Sequence, residues 1–165
     1  MRSKSELLLI GLCAFALAAP VAGQKSDDQI APKSIALQKQ GEALYGAGKF
    51  GEATDALETA LAVDPRNRAA FVSLARVADK QKLYGKAVRL TGRALLLDPN
   101  DPNAIAVQGE AMVELGAKAR AQANLQKLKT LCPQGCAPLT ELSAAVNRGP
   151  TVAAATKPKA TTKTD

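Results

Sequence analysis

The feature that most constrains the fold of this chain is a repeat with a period of 34 residues. Four series of positions keep this spacing, and three of them hold only proline or only small residues in every unit. The series are Pro65, Pro99, Pro133; Ala53, Ala87, Ala121; Gly41, Ala75, Gly109; and Ala60, Ala94, Leu128. Self-similarity at a fixed period indicates that one structural unit is used three times.

The composition of each unit predicts a helical hairpin. Small residues at fixed stations allow two helices to approach closely, and the proline lies where a helix has to stop. Large apolar residues fill the remaining core stations at helical spacings of three, four and seven. We therefore predict first helices over 34–47, 68–81 and 102–115, and second helices over 50–62, 84–96 and 118–130. The apolar stations are Leu37, Leu44, Leu57, Leu61, Phe71, Leu74, Leu95, Ile105, Met112 and Leu125.

The pattern resembles the tetratricopeptide-repeat family, with small residues in the first helix, an aromatic at the second helix start, two alanines and then Asp-Pro. The first unit (34–67) has Gly41, Gly48, Phe50, Ala53, Ala60, Asp64 and Pro65, and the second (68–101) has Ala75, Lys82, Tyr84, Ala87, Ala94, Asp98 and Pro99. The third unit (102–135) keeps Gly109, Gly116, Ala121 and Pro133 and departs at Lys118, Leu128 and Cys132. The resemblance implies an all-α, right-handed superhelical solenoid of three helix-turn-helix repeats.

The amino-terminal residues 1–23 have the pattern of a secretory signal peptide. Arg2 and Lys4 precede an apolar run that ends at Pro20, and Ala22 or Gly23 would precede the cleaved bond. We expect a bacterial protein that is periplasmic or secreted, with residues 24–33 as a linker. Two alternatives are an uncleaved anchor and lipidation of Cys13, although Cys13 lies inside the apolar run and follows a leucine.

The carboxyl-terminal residues divide into a predicted capping helix and a tail. Within 136–149, Leu139, Leu142 and Val146 have helical spacing, so this segment would cover the last hairpin. Residues 150–165 have almost no large apolar side chain, and we predict a disordered basic tail. Its lysines are Lys157, Lys159 and Lys163.

Two cysteines remain after removal of the signal peptide, Cys132 and Cys136. An even number in an oxidising compartment favours a disulfide, which would hold the capping helix to the third unit. The alternatives are thiol redox exchange and copper(I) binding, but three residues separate the cysteines, the context is helical, and there is no methionine cluster.

The family resemblance implies that the first helices line a concave groove for a protein or peptide partner. The corresponding positions are Gln38, Glu42, Tyr45, Val72, Arg76, Asp79, Asn103, Ala106, Glu110 and Val113. Glu42, Arg76 and Glu110 are spaced by 34 residues, so stacked units would place them side by side as an acid–base–acid row. This row could orient the polar groups of a partner, or it could be a series of solvated salt bridges without a binding role. Chaperone-binding members of the family clamp a terminal carboxylate with Lys and Asn, and the matching positions here lack cations. Those positions are Gln38, Glu42, Ser73, Asn103 and Val107.

The composition argues against several functions. The chain has no His, so the most common general base is absent, and Arg76 between Glu42 and Glu110 would lower the pKa of both carboxyls. We expect neither an enzyme nor a cofactor-dependent protein. The net charge is +7, but only 3% of residues are aromatic and the export signal directs the chain away from nucleic acid.

The expected function is that of an adaptor or scaffold that binds a protein through the concave face. The alternatives are an envelope-associated structural protein whose basic tail binds anionic polymer or lipid, and the thiol or copper(I) functions of Cys132 and Cys136. Ile35 and Leu44 leave an apolar face on the first unit, which makes a homo-oligomer a further expectation.

Overall fold

The computed structural model describes residues 29–151, and within that range the chain forms seven α-helices and no strand. The helices are α1 (Pro32–Gly46), α2 (Phe50–Val63), α3 (Arg68–Lys80), α4 (Tyr84–Leu97), α5 (Pro102–Glu114), α6 (Lys118–Leu131) and α7 (Ala137–Arg148). Helices α1 and α2, α3 and α4, and α5 and α6 pack as three hairpins, and α7 packs against α5 and α6. The prediction of an all-α helical repeat fold is confirmed.

The six repeat helices begin and end within two residues of their predicted positions. Helix α1 begins earlier than predicted because Pro32 occupies the first helical turn, where a missing N–H removes no helical hydrogen bond. Residues 32 and 33, which were predicted to belong to the linker, are therefore part of α1. The predicted signal peptide and linker residues 24–28 lie outside the described residues.

Two residues of the predicted basic tail, Pro150 and Thr151, belong to the described part of the chain. Thr151 is held on the repeats, because its backbone N–H and its hydroxyl both donate to Glu114 Oε2, at 2.8 and 2.7 Å. Residues 152–165, with the three tail lysines, lie outside the described residues. Across the described residues, no helix has both the length and the apolar character that crossing a bilayer requires.

The turn inside each hairpin has the same backbone geometry. Gly48, Lys82 and Gly116 are 34 residues apart and have positive φ angles of 73°, 60° and 71°. In each turn the positive-φ residue and the residue after it donate backbone hydrogen bonds to carbonyls of the preceding helix, in the Schellman pattern that satisfies the helix end. Lys82 is the one non-glycine residue with positive φ among residues 29–151.

Substitution of Lys82 by glycine is expected to stabilise the protein. A residue with a Cβ is disfavoured in the left-handed region by about 1 kcal/mol, and glycine removes that cost. We therefore expect Lys82→Gly to raise the free energy of unfolding by about 1 kcal/mol, and Gly116→Ala at the equivalent turn to lower it by a similar amount. Urea denaturation followed by circular dichroism measures both, and a lower midpoint for Lys82→Gly would contradict the strain argument.

The loop between the first two hairpins is fixed by Asp64 of the Asp-Pro pair. Its carboxylate accepts hydrogen bonds from the backbone N–H of Ala31 at 3.0 Å and from Arg66, whose Nη2 lies at 2.8 Å. Beside it, Asn67 Nδ2 donates to Ser34 Oγ at 2.9 Å, and Ser34 Oγ donates to the carbonyl of Ala60 at 2.7 Å. The start of α1 is thereby tied to the end of α2 and the start of α3.

The ionised state of Asp64 is expected to make stability depend on pH. Hydrogen bonds from the Arg66 side chain and then from the Ala31 backbone lower the pKa of Asp64 from 3.8 to about 2. Such a carboxylate contributes its full stabilisation above the unfolded-state pKa, and that contribution is lost as the pH falls through the folded-state pKa. Asp64→Asn should therefore lower the urea midpoint near neutral pH and should lower it progressively less between about pH 4 and pH 2. A difference between the two proteins that stays constant down to pH 2 would contradict this explanation.

The core consists mainly of small side chains at the repeated stations. Ala53, Ala87 and Ala121 are fully buried, and so are Ala60 and Ala94. These alanines let the two helices of each hairpin pack closely, which is why so few aromatic residues are needed to fill the interior. In the third unit Leu128 replaces the second alanine and is also fully buried, in a cluster that includes Leu142 of α7.

Helix α7 covers the apolar face of the third hairpin. Leu142 and Ala145 point into the core with 0% and 3% exposure. Cys132 follows α6 and Cys136 precedes α7, and the two are placed as a disulfide with their Cα atoms 5.9 Å apart. This position agrees with the expected role of the cysteine pair in fixing the capping helix.

Candidate partner-binding groove

Side chains of α1, α3 and α5 line a groove that consists of adjoining pockets. The first, which we call the Asn103 pocket, has a volume of about 350 Å³ and extends from Glu42 past Val72 to Asn103. The second, which we call the Glu110 pocket, has a volume of about 270 Å³ and is lined by Tyr45, Arg76, Asp79, Lys80, Val107, Glu110 and Glu141. Arg76 lines both pockets and a smaller one between them, so the pockets form one continuous surface.

Seven of the ten residues predicted for the groove line these pockets. They are Glu42, Tyr45, Val72, Arg76, Asp79, Asn103 and Glu110. Gln38 lies at the edge, where its Nε2 donates to Glu42 Oε1 at 3.0 Å. Of the positions named for the carboxylate clamp, Ser73 and Val107 also line the groove, and neither carries a charge.

The structure differs from the prediction at the two remaining positions, because Ala106 and Val113 do not line the groove. Ala106 is completely buried in a cluster with Leu142, and Val113 is 5% exposed in a cluster with Ala145. Both cluster partners belong to α7. A partner in the groove cannot contact these two residues, because the capping helix already occupies the surface above them.

The predicted acid–base–acid row does not form as a ladder of ion pairs. Glu42 accepts a hydrogen bond from Ser73 Oγ at 2.7 Å rather than pairing with Arg76. Among the described residues, the ion pair of Arg76 is with Glu141 of α7 at 3.7 Å, and its Nη2 also lies 3.4 Å from Asn103 Oδ1. The repeat alone could not predict Glu141, since α7 lies outside the three repeated units.

The end of the Asn103 pocket is formed by three residues that were not predicted to line the groove. Arg68 places Nη1 at 2.8 Å from Asp98 and Nε at 2.8 Å from Asp101. Asp101 also accepts backbone hydrogen bonds from Asn103 and Ala104 at the start of α5. Asp98 belongs to the second Asp-Pro pair, so the same residues end α4, begin α5 and form the wall of the groove.

The Glu110 pocket contains two carboxyl groups whose pKa values are raised by burial. Burial raises the pKa of Glu110 above its ordinary value, and the opposing effect of Arg76 does not offset it. The charge of Arg76 lowers the pKa of Glu110 as expected, but the net shift is upward because desolvation has the larger effect. Burial likewise raises the pKa of Asp79, whose Oδ1 is buried without a hydrogen-bond partner among the described residues.

The comparison with known proteins agrees with this architecture. The family model described as tetratricopeptide repeat matches residues 39–105. No curated protein sequence matches the chain at a significant level.

Several solved structures share the fold. The first tetratricopeptide-repeat domain of Spaghetti (RPAP3), bound to the HSP90 peptide SRMEEVD, is 22% identical with a TM-score of 0.64, and the match covers 70% of this chain and 92% of that one. The second such domain of human RPAP3, in complex with the HSP70 peptide SGPTIEEVD, is 26% identical with a TM-score of 0.62, covering 68% and 94%. The Sgt2 domain from Aspergillus fumigatus is 20% identical with a TM-score of 0.66, covering 72% and 79%. The family model over residues 39–105, the fold shared with these solved structures and the 34-residue period agree in identifying tetratricopeptide repeats in this chain.

Proposed function

We propose that the protein is an exported adaptor that binds a segment of a partner protein in the groove of α1, α3 and α5. The observation that carries this proposal is the convergence of polar side chains from three separate hairpins on one open surface, in front of a core that is already closed. Glu42 and Asn103, which belong to different hairpins, are both exposed on this surface. The peptide-bound structures of similar fold support a peptide segment as the occupant.

The groove is formed before a partner arrives, which favours binding at low conformational cost. Asp101 caps α5, Asn67 caps α3, and the Ser73–Glu42 hydrogen bond joins the first two hairpins across the groove. Because these contacts hold the helices in place, little ordering entropy is lost when a segment binds.

Site-specific photo-crosslinking tests the proposal. A benzophenone amino acid replaces Tyr45, whose ring lies in the groove and is 5.9 Å from the ring of Phe50. The matched control carries the same group at Arg93, which is exposed on α4 and does not line the pockets. We expect one discrete crosslinked partner through position 45 and none of that partner through position 93. Capture of the same partner only through position 93 would contradict the proposal.

The export part of the proposal rests on the pattern of residues 1–23. Mass spectrometry of the protein isolated from a bacterial periplasmic fraction should find a chain that begins after Ala22 or Gly23. A full-length chain that is retained in the cytoplasm would show that this part is wrong and would leave the groove proposal unaffected.

A further inference from the structure

The charge of the groove is opposite to the charge of the chain. The whole chain has a net charge of +7, whereas the pockets are lined by six carboxylates and three cationic side chains, Arg68, Arg76 and Lys80. The carboxylates are Glu42, Asp79, Asp98, Asp101, Glu110 and Glu141. The acidic residues are therefore concentrated on the face that we propose to bind a partner.

Two of the three cations are already paired with groove carboxylates. Arg68 forms ion pairs with Asp98 and Asp101, and Arg76 forms one with Glu141. Asp79 and Glu110 are different, because no cation among the described residues lies within ion-pair distance of either carboxylate. The Glu110 pocket therefore holds two partly buried acidic groups that lack a direct counter-charge.

On this basis we infer that the partner segment carries lysine or arginine side chains and places one of them in the Glu110 pocket. The inference rests on the proposed function and specifies the chemistry of the occupant. Val107 and the ring of Tyr45 would pack against the methylene groups of such a side chain, while its charged end meets Glu110 and Asp79. A metal ion is a poorer candidate, since no three acidic or cysteine side chains of the described residues are placed to hold one.

The same charges disfavour the acidic peptides held by proteins of similar fold. The peptides SRMEEVD and SGPTIEEVD each end in two glutamates, valine and aspartate. In this groove such a segment would meet Glu42, Glu110 and Glu141, and because Arg68 and Arg76 are already paired, Lys80 is the remaining groove cation that could face it. Like charges brought together at an interface suppress binding, so the groove should discriminate between basic and acidic segments.

A display library of random 12-residue peptides, selected on the immobilised full chain, provides the first test. We expect the selected peptides to be enriched in lysine and arginine and depleted in aspartate and glutamate. Enrichment of acidic or uncharged peptides, or the absence of any selected sequence, would overturn the inference. In either case, the crosslinking test at Tyr45 still decides separately whether the groove binds a protein at all.

The second test uses one selected peptide and its Lys→Gln copy, measured by fluorescence anisotropy. We expect the copy to bind at least tenfold more weakly, and the protein variant Glu110→Gln/Glu141→Gln to bind the original peptide about fivefold more weakly. The control variant Glu52→Gln/Asp55→Asn removes two exposed carboxylates of α2 that lie outside these two pockets, and it should change the affinity less than twofold. Equal losses in both variants would overturn the inference.

The basic tail is the competing occupant, because Thr151 is held by Glu114 at the end of α5. The full-length variant Lys157→Gln/Lys159→Gln/Lys163→Gln distinguishes the two. If a separate partner is the occupant, this variant binds the lysine peptide with unchanged affinity. An affinity gain of threefold or more would show that the tail occupies the pocket and would overturn the assignment to a partner.

Discussion

Leu142→Ala is expected to lower the free energy of unfolding by about 3 kcal/mol. Leu142 is completely buried, and it packs with Ile105 and Leu128 where α7 covers the third hairpin. Alanine would remove the side chain that fills the space left by Gly109 and would leave a cavity under the capping helix. Urea denaturation followed by circular dichroism measures the change.

Leu139→Ala is the matched control for this prediction, since Leu139 lies on the same helix and is only partly buried. It should cost about 1 kcal/mol, in proportion to the smaller apolar surface that it buries. A Leu142→Ala variant as stable as the Leu139→Ala variant would contradict the account of α7 as a tightly packed cap.

Gly41→Ala is expected to destabilise the protein by about 2 kcal/mol, although alanine is the better helix former. An added Cβ would lie 2.5 Å from Leu57 Cγ and 3.3 Å from the carbonyl oxygen of Ala53. Leu57 is completely buried, and the clash is with its branch point rather than with the flexible end of the side chain. The overpacking should therefore outweigh the gain of about 1 kcal/mol in helix propensity.

Gly92→Ala is the control for Gly41→Ala, because Gly92 is also within a helix and an added Cβ would meet no atom within 4 Å. Only the propensity term operates there, so this variant should be about 1 kcal/mol more stable than the parent protein. Changes of the same sign at both positions would show that close packing is not the reason for the glycine in α1.

The helices could be predicted from the sequence because the period, the prolines and the small residues all repeat. The hairpin turn is conserved in structure even in the unit that lacks the turn glycine. Lys82 stands where the other units have Gly48 and Gly116, and yet it adopts the same backbone conformation. The packing of the hairpins fixes the turn, and the sequence tolerates one unfavourable residue within it.

The part of the site that could not be predicted involves α7. The repeat pattern places Ala106 and Val113 on a first helix and hence in the groove, but it contains no information about which surface the capping helix covers. Burial under α7 removes both residues from the groove, and Glu141 enters as the partner of Arg76. Contacts between a repeated unit and a unique segment have no signal in a 34-residue period.

Two glycines at equivalent positions of the repeat also have different neighbours in the core. Gly41 accommodates Leu57 of its own hairpin, whereas Gly109 accommodates Leu142 of α7. The sequence predicts that both positions are small, and only the structure shows that they face different neighbours.

The affinity of the partner captured through Tyr45 decides whether the groove of α1, α3 and α5 is its binding surface. Glu42→Ala/Asn103→Ala removes two exposed groove side chains, and Arg89→Ala/Arg93→Ala removes two exposed side chains of α4. We expect the first variant, provided that its unfolding midpoint shows it to be folded, to bind the partner at least tenfold more weakly. We expect the second variant to bind within twofold of the parent protein. Loss of binding in the α4 variant with full affinity in the groove variant would contradict this expectation.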